Sequence, residues 1–412
     1  MVVLKKCQSE VALMQTFDSQ EFIKKQVAEL RKLIKDEKAL IAVSGGVDST
    51  TCAVLTHRAI GSNLLCVILD DAFMREGEPQ RVADLVSKPP IKLPIKILDV
   101  QERFMKALNG LRDAEEKRKR FRETFYKVLG ETAEREGCRI LVQGTIKADI
   151  VETTGGIKTQ HNVLEQMGIN TMERYGFKVV EPLVSLYKEQ VRTVARDLGV
   201  PLEISERQPF PGPGLSVRVV EGITTDKLDS EKKATAIVEE SFSRHSPSQY
   251  FAAILDNETV PHERSMQIQE TAARVLKAHL RNVSVKVFKA KATGIKAGRR
   301  LYGTIAALKA QTPKGAIYNP PISSLVSLQA KLVKENPSFT RILYTIKELP
   351  RDQPCVVVLR AIQTTDFLTA KVTEIPWSTL NETADKILAA CRNVSAVHYD
   401  VTPKPPATVE ME

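Results

Sequence analysis

The chain has 412 residues, 42% hydrophobic and 27% charged, with a formal net charge of +10. That length accommodates two or three domains, and no apolar run approaches the ~18 residues of a membrane span. The N-terminal MVVLKKCQSEVALMQ lacks the apolar core and cleavage site of a secretory signal, and six cysteines (Cys7, Cys52, Cys66, Cys138, Cys355, Cys391) never form CxxC. A reduced, cytoplasmic setting is expected, with neither a disulfide scaffold nor a zinc knuckle.

Asp18 and Glu21 have capping-box spacing, and Phe22, Ile23, Val27, Leu30 and Ile34 recur at helical intervals, so the first element reads as an amphipathic helix. KALIAV follows as a short buried strand running into SGGVDST. LLCVILDDA, IKLPIKILDV and RILVQGT read as three more strands, separated by helical stretches such as LRDAEEKRKRFRETFYKVLGETAERE. Strands alternating with helices predict an α/β fold with a doubly wound, mostly parallel sheet. Ligands on such sheets sit at the carboxyl ends of the strands, where the glycine turn, Asp70 and Gln143 converge.

SERQPFPGPGLSV, with three prolines and two glycines in six residues, is a rigid turn or linker closing the first domain. Residues 221–279 read as mainly helical. Two later stretches, RLYGTIAALKA to FTRILYTI and CVVVLRAIQ to VSAVHYDVT, each read as strand, helix, strand, a weak duplication within a smaller α+β domain. The expected division is 1–217, a connecting segment 218–279, and 280–412. Residues 280–334 contain no Asp or Glu but many Lys and Arg, among them Arg281, Lys286, Lys289, Arg299, Arg300 and Lys309. Such a field suits phosphorylated small molecules or nucleic acid, the plain alternative being a solvated basic surface or subunit contact.

A two-glycine turn lets backbone N–H groups approach phosphate oxygens, and the helix N-terminus behind it adds partial positive charge. Ser44, Ser49 and Thr50 add hydroxyl donors. Asp48 would repel phosphate unless it helps hold magnesium. A bare SGG is as compatible with a plain strand-to-helix turn. Asp149 and Glu152, three apart after VQGT, share a helical face and either hold magnesium or cap the helix. Lys158 and His161 lie in a glycine-containing segment that reads as a lid, or as solvated loop residues.

The full SGGVDS after a strand resembles the loop of the ATP pyrophosphatases that form adenylates and release pyrophosphate. FMREGEPQRV, DAEEKRKRFRETF, LVQGTIKADIVETTGGIKTQHNV, VVEPLVSLYKEQVRTVARDLGVP and RQPFPGPGLSVRV follow one another in the order found in GMP synthases. LRAIQTTDFLTA and YDVTPKPPATVEME resemble that family's C-terminal dimerisation domain. The resemblance covers residues 23–216 and 354–412 well and the part between poorly.

It implies an adenine nucleotide α-hydrolase-like ATP pyrophosphatase domain followed by a smaller α+β dimerisation domain. The implied activity is a ligase using ATP and magnesium: the C2 oxygen of xanthosine monophosphate (XMP) attacks the α-phosphorus, pyrophosphate leaves, and ammonia displaces AMP to give GMP. By resemblance Asp48, Lys158 and His161 are catalytic. Ser44, Gly45, Gly46, Val47, Asp48, Ser49, Thr50, Asp70, Gln143, Gly144 and Thr145 bind ATP. Arg118, Arg360, Lys404, Thr408 and Glu410 bind the acceptor, and Asp48, Asp149 and Glu152 bind the metal. A homodimer is implied, with ammonia from a separate glutaminase subunit or free ammonium, because no cysteine lies in a Gly-x-Cys-x-Gly elbow. Neither membrane nor nucleic acid is an expected partner.

The chain departs from the family pattern at several points. Gln160-His161 replaces two histidines and the Gly-Gly after them is missing. Gln208 replaces a histidine, Asp71-Ala72 an Asn-Gly, and Ala297-Gly298 a Gly-Asp. Ala396 stands where an arginine is usual, eight residues before Lys404. Losing that charge-assisted bond costs about 1.5–3 kcal/mol unless His398, Arg341 or the basic stretch substitutes. A divergent paralogue with another nucleotide acceptor, or a weakly catalytic nucleotide- or RNA-binding scaffold, are the alternatives.

Overall fold

Asp18 caps the first helix, Ser19–Ile34, by accepting from the N–H groups of Gln20 and Glu21 at 2.9 and 3.0 Å, and the helix buries Ile23, Leu30 and Ile34. The computed structural model describes residues 17–154, 170–350, 352–365 and 368–412, with the side chains of 151–154 excepted. They divide into two units. One comprises Met1–Ala107 and Arg120–Gly212, the other Leu108–Lys119 and Pro213–Glu412.

In the first unit β1 (Lys38–Ala42), β2 (Leu64–Asp70), β3 (Ile95–Asp99), β4 (Cys138–Val142) and β5 (Lys178–Val180) form one sheet, ordered β3-β2-β1-β4-β5. Every pairing is parallel. Ala39, Leu40, Ile41, Cys66, Val67 and Ile68 are at most 1% exposed. Burial on both faces is what lets these strands read as unbroken apolar runs. β1 is followed by β2 on one side, and the chain later returns to β4 on the other. The topological switch point of the sheet therefore lies between β1 and β4, the place where such sheets bind ligands at their carboxyl ends.

The second unit holds β6 (Gln249–Asp256), β7 (Val283–Lys296), β8 (Arg299–Ala310), β9 (Phe339–Glu348), β10 (Cys355–Gln363), β11 (Lys371–Val372) and β12 (Val394–Asp400). Their order is β11-β10-β12-β9-β8-β7, with β6 antiparallel to β10. The two strand–helix–strand stretches form parallel pairs, β8 with β9 and β10 with β12, around helices Ile322–Glu335 and Trp377–Ala390.

Two features differ from the sequence reading. The 218–279 segment carries helices Thr225–Phe242 and Ser265–Leu276, but β6 lies between them and pairs along its whole length with β10. It is therefore part of the second unit's sheet rather than a helical connector; its six-residue apolar run, 250–255, is too short for periodicity to separate strand from helix. The unit boundary falls inside the proline-rich segment, at Gly212, and residues 108–119 join the second unit. Among the described residues no helix is long and apolar enough to cross a membrane.

Candidate active site

In the first unit, β1 delivers the chain into the Ser44-Gly45-Gly46 turn. Gly45 has φ +76°, and a Cβ there would lie 2.6 Å from Val82 Cγ2, so both backbone and packing require glycine. Gly46 precedes helix Val47–Ile60 and supplies no side-chain cap to its first N–H groups. The Ser44 N–H donates to Ser49 Oγ at 3.2 Å, and the two hydroxyls are 3.0 Å apart. Thr50 Oγ1 is buried without a partner. The turn after β4 abuts this helix end: a Cβ on Gly144 would meet Asp48 C and Ser49 N at 2.9 Å. Gln143 Nε2 donates to the Tyr126 hydroxyl, leaving its buried Oε1 unpartnered, and Thr145 Oγ1 donates to Glu181. Asp70, at the end of β2, accepts from Gln101 Nε2 at 2.9 Å.

Asp48 is the chemical centre of this turn. Its Oδ2 accepts from Lys188 Nζ at 2.7 Å, while Oδ1 is buried with no partner. Burial raises its pKa, the Lys188 charge pulls it back, and the nearby Asp149 pushes it further up. Asp149 Oδ2 accepts from the Ile146 N–H at 3.0 Å, the capping geometry that the sequence left open against metal binding. Lys158, His161 and the Glu152 side chain lie outside the described residues. Among the described residues, no three His, Cys, Asp or Glu side chains group around a metal position. Magnesium, however, usually takes one or two carboxylates and completes its shell with water and phosphate oxygens. An unpartnered Asp48 oxygen beside a phosphate cradle fits that demand.

Lys188 was not singled out in the sequence, although it opens helix Lys188–Asp197 within VSLYKEQVR. A lysine just inside a helix that follows a strand was the available signal. Its partner, 140 residues earlier, was not.

In the second unit the C-terminal tail is held by buried charge. Arg341 and Arg360, both 0% exposed, donate to the same Asp400 oxygen at 2.8 and 2.7 Å. Arg360 also donates to the carbonyls of Val409, Thr402 and Thr408. Arg341 donates to Thr408 Oγ1 and the Glu410 carbonyl. Arg360, expected on the acceptor, is thus wholly engaged with Asp400 and tail backbone. Thr408 Oγ1 also donates to the Thr293 carbonyl.

Glu410 receives both Nε and Nη2 of Arg218 at 3.0 Å and Gln249 Nε2 at 2.9 Å, with its side chain 16% exposed. The Lys404 N–H and carbonyl pair with Ala370. Lys117 is fully buried, donating to Glu412 Oε2 at 2.5 Å and to the Val219 carbonyl at 2.7 Å. Burial pushes the Glu412 carboxyl up to about 7, against the pull of Lys117. Arg118 reaches the Glu412 main-chain oxygen and Glu115. The tail thereby brings Arg118, Thr408 and Glu410 into one stretch. Lys117, Arg218 and Gln249 were missed because their partners lie over a hundred residues away in sequence.

Ala396 is 1% exposed in the core and pairs across β9 with Glu348. Two expected substitutes for the absent arginine are unsuited in this arrangement. Arg341 is engaged as above. His398 is buried against Phe288 and Thr345, and burial pulls its pKa down to about 3, so it is neutral. Part of the acid-free stretch is also neutralised, since Lys286 and Lys309 share Glu348 and Lys289 pairs with Glu258. Ala72 and Ala297, where the family pattern has glycine, both sit at positive φ, +72° and +48°.

Comparison with known proteins gives two family matches, a PP-loop domain over residues 19–203 and a GMP synthase C terminal domain over residues 345–411. The chain is 41% identical over 397 residues to a protein of Sulfurisphaera tokodaii described as one subunit of a glutamine-hydrolyzing GMP synthase, covering 96% of this chain and 100% of the relative. The protein of the same description from Methanopyrus kandleri is 38% identical over 403 residues, with the same coverage. Among solved structures, an NMN synthetase from Francisella tularensis aligns at 19% identity with a TM-score of 0.38, over 48% of this chain and 79% of that one.

Proposed function

Since this chain belongs to the GMP synthase family, with relatives that are each one subunit of that enzyme, we propose that it catalyses the ATP-dependent amination of XMP to GMP. The C2 oxygen of XMP displaces pyrophosphate from the α-phosphorus of ATP, and ammonia then displaces AMP from C2. The observation that carries this reading is the glycine turn between β1 and helix Val47–Ile60, where Ser44 and Ser49 bond to each other and Asp48 keeps one buried oxygen without a partner.

The turn N–H groups, Ser44 and Ser49 bind the β- and γ-phosphates, and the helix dipole behind them favours the leaving pyrophosphate. Asp48 would hold magnesium, whose role is to neutralise phosphate charge. Lys188 keeps Asp48 oriented toward the cradle. Lys158 and His161 take part in catalysis. The tail, through Lys404, Thr408 and Glu410, binds the acceptor with Arg118. A separate glutaminase subunit supplies ammonia, in keeping with the relatives being single subunits of a glutamine-hydrolyzing enzyme. The second unit forms a homodimer, and the protein works in the cytoplasm.

The test is pyrophosphate release by the full chain with ATP, magnesium, ammonium and a panel of nucleotides. Release should require XMP, and glutamine should not replace ammonium, because every described cysteine is buried. Equal turnover of another nucleotide would reassign the acceptor. Glutamine-dependent turnover by the pure chain would reveal a glutaminase site in it.

A further inference from the structure

In the first unit one buried carboxylate joins two segments that lie 129 residues apart, each from a motif that the proposed chemistry leaves unused. Glu78, its side chain 2% exposed, opens helix Glu78–Ser87 within FMREGEPQRV. Its Oε1 accepts from Arg75 Nη1 at 3.2 Å and from Nη1 of Arg207, in the proline-rich segment. Its Oε2 accepts from the Arg75 N–H at 2.9 Å, and its own N–H donates to the Arg75 carbonyl at 3.1 Å. The turn into the helix is thus closed from both sides. The Arg75 guanidinium also lies 4.1 Å over the Phe210 ring, a second link to the proline-rich segment.

Val82 stands one turn further along that helix, on the same face as Glu78. It is 1% exposed and seats on the phosphate turn, since a Cβ on Gly45 would stand 2.6 Å from Val82 Cγ2. The helix start is therefore tied to the proline-rich segment, while the next turn bears on the glycine that shapes the cradle. That contact has no room for a methyl group, so a displaced helix either presses on Gly45 or leaves it unsupported. Pro209 and Pro211 restrict the backbone beside Arg207 and stiffen the tie. We propose that Arg207 is a positioning residue for ATP: it holds Glu78, and through that helix Val82, so that the proline-rich segment keeps the phosphate turn in its binding shape. This rests on the turn holding the β- and γ-phosphates of ATP. A bridge that only stabilised the fold would not distinguish a ligand with those phosphates from one without them.

Calorimetry on the full chain, with magnesium present, compares ATP with AMP, which lacks the two phosphates. The wild type should bind ATP the more tightly. Arg207→Gln should weaken ATP at least tenfold and leave AMP unchanged. Val82→Ala, which removes the seat itself, should also weaken ATP and spare AMP. The double variant should be no weaker than the worse single one, because both changes act along one path. Arg207→Lys keeps the charge without the planar guanidinium, should give an intermediate loss, and serves if the glutamine variant does not fold. ATP binding unmoved in the Arg207 variants, ATP and AMP weakened alike, or losses that multiply in the double variant overturn the proposal while sparing the phosphate turn. A wild type that binds AMP as tightly as ATP overturns both.

Discussion

The glycine turn of the first unit and the C-terminal tail of the second are built from opposite materials. In the first unit the cradle is backbone, a positive-φ glycine and a helix end, and its one carboxylate keeps an oxygen unpaired. In the second unit the tail is fixed by side chains: an Arg–Asp–Arg cluster, an Arg–Glu fork and a Lys–Glu pair, all largely dry. A buried carboxylate oxygen without a partner is costly, so the first region carries a standing penalty that a ligand would relieve, whereas the charges of the second are paired with one another. Damage should therefore appear as lost chemistry in the first region and as lost stability in the second.

The sharpest break of that contrast comes from Asp48→Ala. Pyrophosphate release should fall to the detection limit, while the unfolding free energy changes by no more than about 1 kcal/mol, the usual worth of a carboxylate at a helix start. A variant that is markedly unstable, or one that retains turnover, would erase the distinction.

Asp400→Ala should do the reverse. It leaves two fully buried arginines without their shared carboxylate, a loss of about 3–5 kcal/mol in denaturant unfolding. An undiminished midpoint would mean that the cluster relaxes into water.

Lys404→Ala tests whether the tail touches the acceptor. Because it is not fully buried, its removal should spare the fold and raise the Michaelis constant for XMP about tenfold, ~1.4 kcal/mol, leaving that for ATP unmoved. Parallel rises in both constants would remove the separation of acceptor and ATP sites.

The smallest effect concerns His398. Its folded pKa of about 3 lies below the ordinary value of 6.5, with burial the main cause and the charges of Lys286 and Lys309 acting in the same direction. Between those values the unfolded chain binds the extra proton, so stability falls as pH falls below 6.5 and the penalty saturates near 3. His398→Gln should remove about 1 kcal/mol of the acid sensitivity measured between pH 7.5 and 5.5. An unchanged pH dependence would mean that the imidazole gains a proton in the folded state.

The same contrast explains what could be read from the sequence. The phosphate turn was legible because its parts are contiguous: strand, glycines, Asp48 and helix follow within a dozen residues. β5, three residues long, carries no periodicity to detect. The tail clamp was not legible because Arg341, Arg360 and Asp400 lie on β9, β10 and β12, and only the order β10-β12-β9 makes them neighbours. Arg360 therefore looked like a substrate ligand, and His398 like a cation, until burial was known.

Lys117 also imposes an order of events on the newborn chain. Its partner Glu412 is made 295 residues later. During synthesis the ribosome releases a complete phosphate turn long before the residues that neutralise Lys117 exist. The helix that starts at Ala114 must wait with its ammonium group in water, and the second unit can close around Lys117 only once Glu412 has been made.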